Sequence, residues 1–143
     1  MIILDTNVIS ALMYDSPDEA VVDWLDRQAL TSIWTTSVTV LEIRFGIARM
    51  PAGRRRAKLE KEFDHIIIED LQGRVLAFDE TSAEQTASLM ARAESLGRVT
   101  ELRDSMIAGI ALTRMASLAT RNVRHFEHAE INLISPWDSS RRR

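Results

Sequence analysis

The sequence predicts an α/β fold: a three-layer α/β/α sandwich with a central, mainly parallel sheet of five strands. Short apolar runs alternate along the chain with longer segments whose apolar residues recur every three or four positions. This is the pattern of strands and helices in βαβ units. Neither a repeat nor a linker-like stretch interrupts it, so we expect one domain over residues 1–138 and a basic tail over 139–143.

The predicted strands are short and mostly apolar, as expected of strands that helices cover on both faces. The first, Ile2–Leu4, ends at Asp5, and the others are 32–36, 74–78, 117–120 and 131–134. In open sheets of this kind, functional groups gather beyond the carboxyl ends of the strands. Asp5 and the segment 120–122 occupy two such ends.

Helices are predicted where a polar residue can accept hydrogen bonds from free backbone amides, and they stop near Gly or Pro. Ser16, followed by Pro17 and two acids, is a strong start for the second helix. On the third helix, Val38, Leu41 and Phe45 are expected to share the apolar side. The predicted helices cover 6–13, 16–29, 37–50, 53–68, 79–97 and 102–115.

Composition limits the classes of protein that fit. The hydrophobic share of 45% and charged share of 27% are those of a globular protein, and the absence of cysteine excludes disulfides and thiolate metal sites. We see neither a signal-peptide pattern nor a membrane-spanning stretch, so we expect a cytoplasmic protein without membrane contacts. The net charge of −3 argues against bulk attraction to nucleic acid.

Three carboxylates lie where the local pattern favours apolar residues. Asp5 ends an apolar strand, Glu42 lies on the expected apolar side of its helix, and Asp104 begins the most apolar helix. A carboxylate near a core is costly unless it is paired or hydrogen-bonded. For any one of the three, a helix cap or a nearby arginine would be a sufficient explanation.

Together, the three acids favour a metal site. If they converge at the end of the sheet, their like charges would repel one another unless they shared a cation. Carboxylate oxygens without cysteine or an obvious histidine partner favour Mg²⁺ or Mn²⁺ over zinc. Such ions keep bound water and take phosphate oxygens as further ligands, so the matching chemistry is phosphodiester hydrolysis by a metal-activated water.

Four segments carry a family resemblance: Ile3–Ser10, Ser37–Gly46, Asp104–Ala108 and Ala119–Phe126. In order and spacing they resemble the four motifs of PIN domains, across essentially the whole chain. The closing Ile134–Trp137 is similar to the end of the FitB-like branch of VapC toxins. The resemblance implies a PIN-like sandwich and a Mg²⁺- or Mn²⁺-dependent endoribonuclease, the toxin component of a toxin–antitoxin module.

The resemblance also assigns roles to single residues. Those that match the family's metal-binding acids are Asp5, Glu42 and Asp104. Thr6 and Thr120 match hydroxyls that orient these carboxylates or the attacking water. Asn7 either belongs to this arrangement or caps a helix.

Asn122 departs from part of the family, in which some members carry Asp, and an amide supplies no charge. We therefore expect one firmly held Mg²⁺ and a second ion only when substrate phosphate arrives. His125 could be a general acid, but a structural or surface role explains it more simply. Arg103 either touches phosphate or pairs with a neighbouring acid.

The partners that the resemblance implies are an RNA substrate, a second copy of the chain and a cognate antitoxin. The antitoxin would be a small VapB/FitA-like DNA-binding protein whose tail wraps the toxin. The homodimer would form through the early helices, with Trp24 and the apolar residues over 21–30, although Trp24 could equally be ordinary core. The side chains expected to contact the RNA backbone are Arg54, Arg55, Lys58 and Arg103, and the basic cluster around Arg54 could also be a solvated helix face.

Two other classes remain open. A phosphotransferase that uses Asp5 as covalent nucleophile would need a second acid at position 7, where this chain has Asn, and usually a downstream catalytic lysine. Only Lys58 and Lys61 exist, in the wrong context. A non-catalytic binding module that kept the PIN fold and lost the metal is compatible with Asn122, but three intact acids argue against it.

Overall fold

The computed structural model describes residues 1–138, and a five-stranded sheet runs through its centre. The strands are β1 (Ile2–Leu4), β2 (Ile33–Thr36), β3 (Val75–Leu76), β4 (Ser117–Ala119) and β5 (Leu133–Ile134). They lie in the order β3-β2-β1-β4-β5, and every adjacent pair is parallel. The mainly parallel sheet that the sequence predicts is confirmed. The predicted basic tail over 139–143 lies outside the described residues.

Helices cover both faces of this sheet. They are α1 (Thr6–Leu12), α2 (Glu19–Asp26), α3 (Ser37–Ala48), α4 (Arg54–His65), α5 (Glu80–Ser95), α6 (Leu102–Arg114) and α7 (Val123–Phe126). α4 continues as one π-helical turn, Ile66–Asp70, and 3₁₀ turns lie at Leu30–Ser32 and Glu127–Ala129. Leu4 packs in one core with residues of α1, α2 and α4, whereas its neighbour Ile3 packs in the other with α5 and α6. The three-layer sandwich is therefore confirmed.

Acceptor side chains fix where the helices begin, because they satisfy backbone N–H groups that have no partner inside the helix. The capping residues of α1, α2, α3, α5 and α6 are Asp5, Asp18, Thr36, Asp79 and Glu101. The predicted start of α2 at Ser16 is wrong, because the Asp18 carboxylate accepts from the Ala20 amide (3.0 Å) and leaves Pro17 outside the helix. Asn7 does not cap α1, since Asp5 has that position.

The buried face of α3 differs from the expected one. Thr39, Ile43 and Ile47 are buried, whereas Leu41 and Phe45 are more than half exposed. α3 packs against both α1 and α6. Thr39 and Ile43, one helical turn apart, lie on its buried side. The expectation that Leu41 and Phe45 share the buried side with Val38 is wrong.

Trp24 lies in the core of the single chain. Only 5% of its surface is exposed, and Val21 beside it is fully buried. The interpretation of Trp24 as ordinary core is correct, and neither residue is available to a second copy. The homodimer stays a prediction, and within the segment 21–30 the large apolar residue that is exposed is Leu30.

A membrane span is not found among the helices over residues 1–138, since none of them is both long and apolar enough.

The contact between α5 and α6 depends on Gly109. A Cβ atom there would overlap the Thr86 hydroxyl and lie 2.8 Å from the Ser82 carbonyl oxygen, which belongs to the backbone and cannot turn aside. We expect Gly109→Ala to lower the free energy of unfolding by about 1–3 kcal/mol through overpacking. Urea denaturation of purified protein measures this.

Gly46 provides the matched control, because it is also a helical glycine but has open space around the position of a Cβ atom. Gly46→Ala should be neutral or up to about 1 kcal/mol more stable, since alanine costs less backbone entropy in a helix. Equal unfolding midpoints for the two variants would contradict the close approach of α5 and α6.

Candidate metal centre

Asp5 lies at the carboxyl end of β1, the central strand of the sheet, and only 4% of its surface is exposed. Its Oδ1 accepts from the Thr6 amide (2.8 Å), so the carboxylate is also the cap of α1. Its Oδ2 accepts from the Thr120 hydroxyl (2.7 Å) and from the Asn7 side-chain amide (3.3 Å). Both carboxylate oxygens are thus oriented by neighbouring groups before any ligand binds.

The loop after β4 is fastened to Asp5 through two side chains. The Thr120 hydroxyl, besides donating to Asp5, accepts from the Asn122 amide (3.0 Å). Asn7 Oδ1 accepts from the Arg121 amide (3.1 Å). Thr120 is therefore placed as the sequence predicts, and Asn7 orients Asp5 and this loop.

The side chain of Arg121 stacks on the ring of Trp137, near the end of the described residues. The Arg121 guanidinium lies 5.0 Å from the centre of the Trp137 ring. The Trp137 indole N–H donates to Asp18 Oδ2 (3.0 Å), whose other oxygen caps α2. The loop beside Asp5 is thus stacked on a residue that is anchored to α2.

Glu42 is held by threonine hydroxyls. Thr6 Oγ1 lies 2.9 Å from Glu42 Oε1 and 3.1 Å from the hydroxyl of Thr39, which is itself 3.4 Å from that of Thr36. Because the carboxylate can only accept, the Thr6 proton is available to Glu42 and the Thr39 hydroxyl can donate to Thr6. Thr39 is a positioning residue that sequence reasoning missed. The available signal was a polar residue one turn before Glu42 on the same helix face.

Asp104 lies in the first turn of α6. Its amide donates to the carboxylate of Glu101 (3.0 Å), and its own Oδ2 lies 3.2 Å from His125 Nδ1. The His125 ring is exposed, in line with a surface role, but its contact with Asp104 was not predicted. It is brought there by the short helix α7, which the sequence pattern did not reveal.

Arg103 pairs with acids in this structure. Its Nε lies 3.1 Å from Glu101 Oε1, and its Nη1 lies 3.9 Å from Glu42 Oε2. The interpretation that Arg103 pairs with a neighbouring acid is therefore correct. Glu101, which caps α6 and also holds Arg103, was not predicted.

Asp5, Glu42 and Asp104 line one open pocket of about 370 Å³, which we call the carboxylate pocket. Thr6, Asn7 and Asn122 also line it, together with Ser10, Tyr14 and Arg121. The structure therefore brings together the three predicted acids, Thr6 and Asn122, with Thr120 directly behind Asp5.

The pKa values of all three acids are raised, which shows that the pocket disfavours negative charge. Burial raises the pKa of Asp5 from 3.8 to about 6; the hydrogen bonds from Thr120 and Thr6 oppose the rise, and the charges of Asp104 and Glu42 add to it. Burial also raises the pKa of Glu42 against the hydrogen bond from Thr6, and that of Asp104 against the hydrogen bond from His125. A bound cation would offset the cost of burying these charges as well as their mutual repulsion.

The donor atoms of the pocket fit a hard divalent cation. Within residues 1–138 no three His, Asp or Glu side chains converge closely enough to enclose a metal ion by themselves. The three carboxylates instead surround open space, which suits Mg²⁺ or Mn²⁺, since these ions bind carboxylate oxygens and keep part of their water.

The predicted RNA-binding residues on α4 lie outside the carboxylate pocket. Lys58 pairs with Asp15 and lies 3.9 Å from Glu62. Arg54 and Arg55 are exposed in the first turn of α4, where the helix dipole disfavours positive charge. Arg54 and Arg55 therefore do not stabilise α4 through the helix dipole.

Comparisons with known proteins give matches over nearly the whole chain. The chain matches the model of the PIN domain family over residues 2–131. It is 41% identical over 138 residues to the VapC ribonuclease Y4jK of Sinorhizobium fredii, with 96% of this chain and 99% of the relative covered. It is 34% identical over 137 residues to toxin FitB of Neisseria gonorrhoeae, with 96% and 99% covered. The crystal structure of FitAcB from Neisseria gonorrhoeae aligns with a TM-score of 0.87 at 34% identity, covering 96% of this chain and 99% of that one.

The fold, the pocket lined by three acids and these matches define a PIN domain. The chain belongs to the PIN-domain family and, within it, to the group that contains the VapC and FitB proteins. The resemblance that the sequence motifs indicated is confirmed.

The raised pKa of Asp5 makes a testable prediction about stability. Folding raises this pKa, so the carboxylate costs nothing below its unfolded value of 3.8, and the cost grows until the pH exceeds about 6. In EDTA at pH 7.5, Asp5→Asn should therefore be more stable than the wild type. A rise from 3.8 to about 6 corresponds to about 3 kcal/mol, and we expect a gain of about 1–2 kcal/mol, because the Asn nitrogen cannot accept a hydrogen bond.

Urea unfolding at several pH values measures this difference, which should vanish or reverse near pH 4. Asp23→Asn, at an exposed position on α2, is the control and should show no comparable pH dependence. An Asp5→Asn variant no more stable than the wild type at pH 7.5 would contradict the electrostatic cost assigned to Asp5.

Proposed function

We propose that this protein is a Mg²⁺- or Mn²⁺-dependent endoribonuclease that acts in the cytoplasm as the toxin of a toxin–antitoxin module. The observation that carries the proposal is Asp5, a buried carboxylate at the end of the central strand that shares an open pocket with Glu42 and Asp104. Packing alone does not explain a buried carboxylate with two further acids at the same pocket, because each charge costs free energy there.

Asp5, Glu42 and Asp104 would hold the metal, which when bound polarises a phosphodiester and makes a water molecule more nucleophilic. The chain's own contribution is orientation. Thr120 and the Thr6 amide fix both oxygens of Asp5, and the Thr6 hydroxyl fixes Glu42. These groups prevent the mutually repelling carboxylates from turning away from the pocket.

RNA is the proposed substrate because of the relatives and because of exposed positive charge at Arg121 in the pocket and on α4 outside it. A relative 41% identical is named a VapC ribonuclease. Arg121 lines the carboxylate pocket, and the exposed pair Arg54 and Arg55 supplies positive charge that the helix itself does not need. We propose that Arg54 and Arg55 contact RNA phosphates, with Arg103 and Lys58 joining them when their acidic partners exchange for phosphate.

An antitoxin is the proposed partner. Solved relatives include FitAB bound to a DNA fragment, at 34% identity and a TM-score of 0.87. Between α2 and the end of α4 this chain has a groove of about 890 Å³, with Leu25 and Ile66 among its apolar walls and Lys61 at its edge. We propose that this groove receives an apolar segment of the antitoxin, because so large an apolar surface is unusual on a protein that acts alone.

RNA cleavage tests the proposed function directly. Purified protein is incubated with end-labelled RNA of mixed sequence and Mg²⁺ or Mn²⁺, with and without EDTA. We expect cleavage that EDTA abolishes and that falls by about 100-fold or more in Asp5→Asn and Asp104→Asn, because each removes a metal-binding charge. Asp23→Asn, an equivalent change at an exposed position, should retain full activity.

Other results would support the rival functions. RNA binding without cleavage in any metal would indicate a binding module, and a phosphoryl group on Asp5, detected by mass spectrometry, would indicate a phosphotransferase. Both outcomes contradict the ribonuclease proposal.

The presence of Asn rather than Asp at position 122 leads to a separate prediction about metal affinity. Asn122 lines the carboxylate pocket without adding charge, so Asn122→Asp should bind Mn²⁺ roughly 3- to 10-fold more tightly, or bind a second ion. Titration calorimetry on metal-free protein measures both quantities. Asn132→Asp adds the same charge beside β5 and is the control. Unchanged affinity and stoichiometry in Asn122→Asp would contradict a metal next to residue 122.

A further inference from the structure

A second pocket adjoins the carboxylate pocket, and the proposed chemistry does not use it. This side pocket has a volume of about 500 Å³ and lies between residues 98–101, the first turns of α6 and the segment around α7. Asp104 lines both pockets, and its contact His125 lines the side pocket. A molecule held at the metal centre would therefore have a neighbouring part within reach of the side pocket.

Two polar atoms at the side pocket have no hydrogen-bond partner. They are Ser105 Oγ and His128 Nε2, and among residues 1–138 the only other buried side-chain atom of this kind is Oε2 of Glu62, which lines the apolar groove. Ser105 is 3% exposed and lines the side pocket from α6. Buried polar atoms are nearly always paired in folded proteins, because an unpaired one costs free energy. Two such atoms at one pocket indicate that the partner comes from outside the chain.

The remaining lining of the side pocket combines apolar residues with two arginines, and Glu101 adds one acid. Val99, Ala108 and Phe126 provide apolar surface, and Arg98 and Arg124 provide positive charge. A free phosphate would not suit apolar walls, and a purely apolar ligand would leave Ser105 and His128 unpaired. A flat, partly polar group attached to a phosphate matches both features.

His128 is suited to recognise such a group as a neutral ring. Burial lowers its pKa, and the charges of Arg98 and Arg92 lower it further. A neutral imidazole has one nitrogen that donates and one that accepts. The Ser105 hydroxyl, which also lines the side pocket, can donate or accept.

We propose that the side pocket receives one unpaired RNA base next to the scissile phosphate, with Ser105 and His128 reading the edge of the base. The phosphate beside that base then lies at Asp104, and Arg98 and Arg124 meet the adjoining backbone. Single-stranded RNA is recognised in this way by other proteins, through bases turned out into pockets with apolar walls and hydrogen-bonding edges. The inference rests on the proposed ribonuclease function and adds that the enzyme selects the nucleotide beside its cut.

Cleavage preference tests this inference. A pool of short RNAs that contains every dinucleotide step is digested with the wild type, and the cut sites are counted by sequencing. We expect a preference at one position beside the cut, and Ser105→Ala and His128→Gln should each reduce it by about 3- to 10-fold, the effect of losing one hydrogen bond. The matched controls Ser95→Ala and His65→Gln change exposed residues outside the pocket and should keep the preference. Circular dichroism checks that each variant is folded.

The outcomes separate the two proposals. If the wild type cuts RNA but has no preference, or if both pocket variants keep it, the base pocket is wrong and the ribonuclease function stands. If the wild type does not cut RNA at all, the ribonuclease proposal fails, and the pocket is judged by titrating metal-free protein with the four nucleoside 5′-monophosphates. Selective shifts of the His128 ring signals that Ser105→Ala weakens would then support a base site, and the absence of such shifts would overturn it.

Discussion

The hydrogen bonds that hold Asp5 at the end of β1 are the constraint on which the rest of the structure depends. The same carboxylate caps α1, accepts from the loop after β4 and faces Glu42 and Asp104. Because β1 is the middle strand of the sheet, elements on both sides converge on this one residue. A parallel sheet brings its carboxyl ends to one edge, so a single buried acid can organise a site built from distant parts of the chain.

The three carboxylates of the pocket lower the stability of the folded protein when they are ionised. All three carboxylates have raised pKa values, so each is harder to ionise in the folded protein than in the unfolded chain. The two cores on either side of the sheet, with residues such as Phe63 and Ile107 fully buried, supply the offsetting free energy. Such local electrostatic cost next to well-packed cores is common where a protein keeps charge ready for a ligand.

The sequence pattern was sufficient for the sheet, for most helices and for the grouping of the three acids at one pocket, because these depend on local periodicity and on residues that break it. It was not sufficient for Thr39, Glu101 and the position of His125. Thr39 looks like an ordinary β-branched residue until α3 packs beside α1, and His125 reaches Asp104 only through a four-residue helix too short to show a period. Contacts between elements decide these positions, and a single sequence does not display them.

The buried face of α3 is a second feature that the sequence pattern did not predict. Leu41 and Phe45 have the spacing of a core stripe, yet they face outward, and Arg49 lies over the Phe45 ring. Thr39, a weaker hydrophobe, takes a buried position, where its hydroxyl lies 3.1 Å from that of Thr6. The polar contacts between α3 and its neighbours, and not hydrophobicity alone, therefore accompany the observed orientation of this helix.

The stacking of Arg121 on Trp137 connects the segment around Trp137 to the carboxylate pocket. Trp137 is fastened to the cap of α2, and Arg121 belongs to the loop that orients Asp5 through Asn7. Residues next to β1, at the start of α2 and around Trp137 are therefore joined through one set of contacts. A substitution at Trp137 would consequently reach the hydrogen bonds that orient the Asp5 carboxylate.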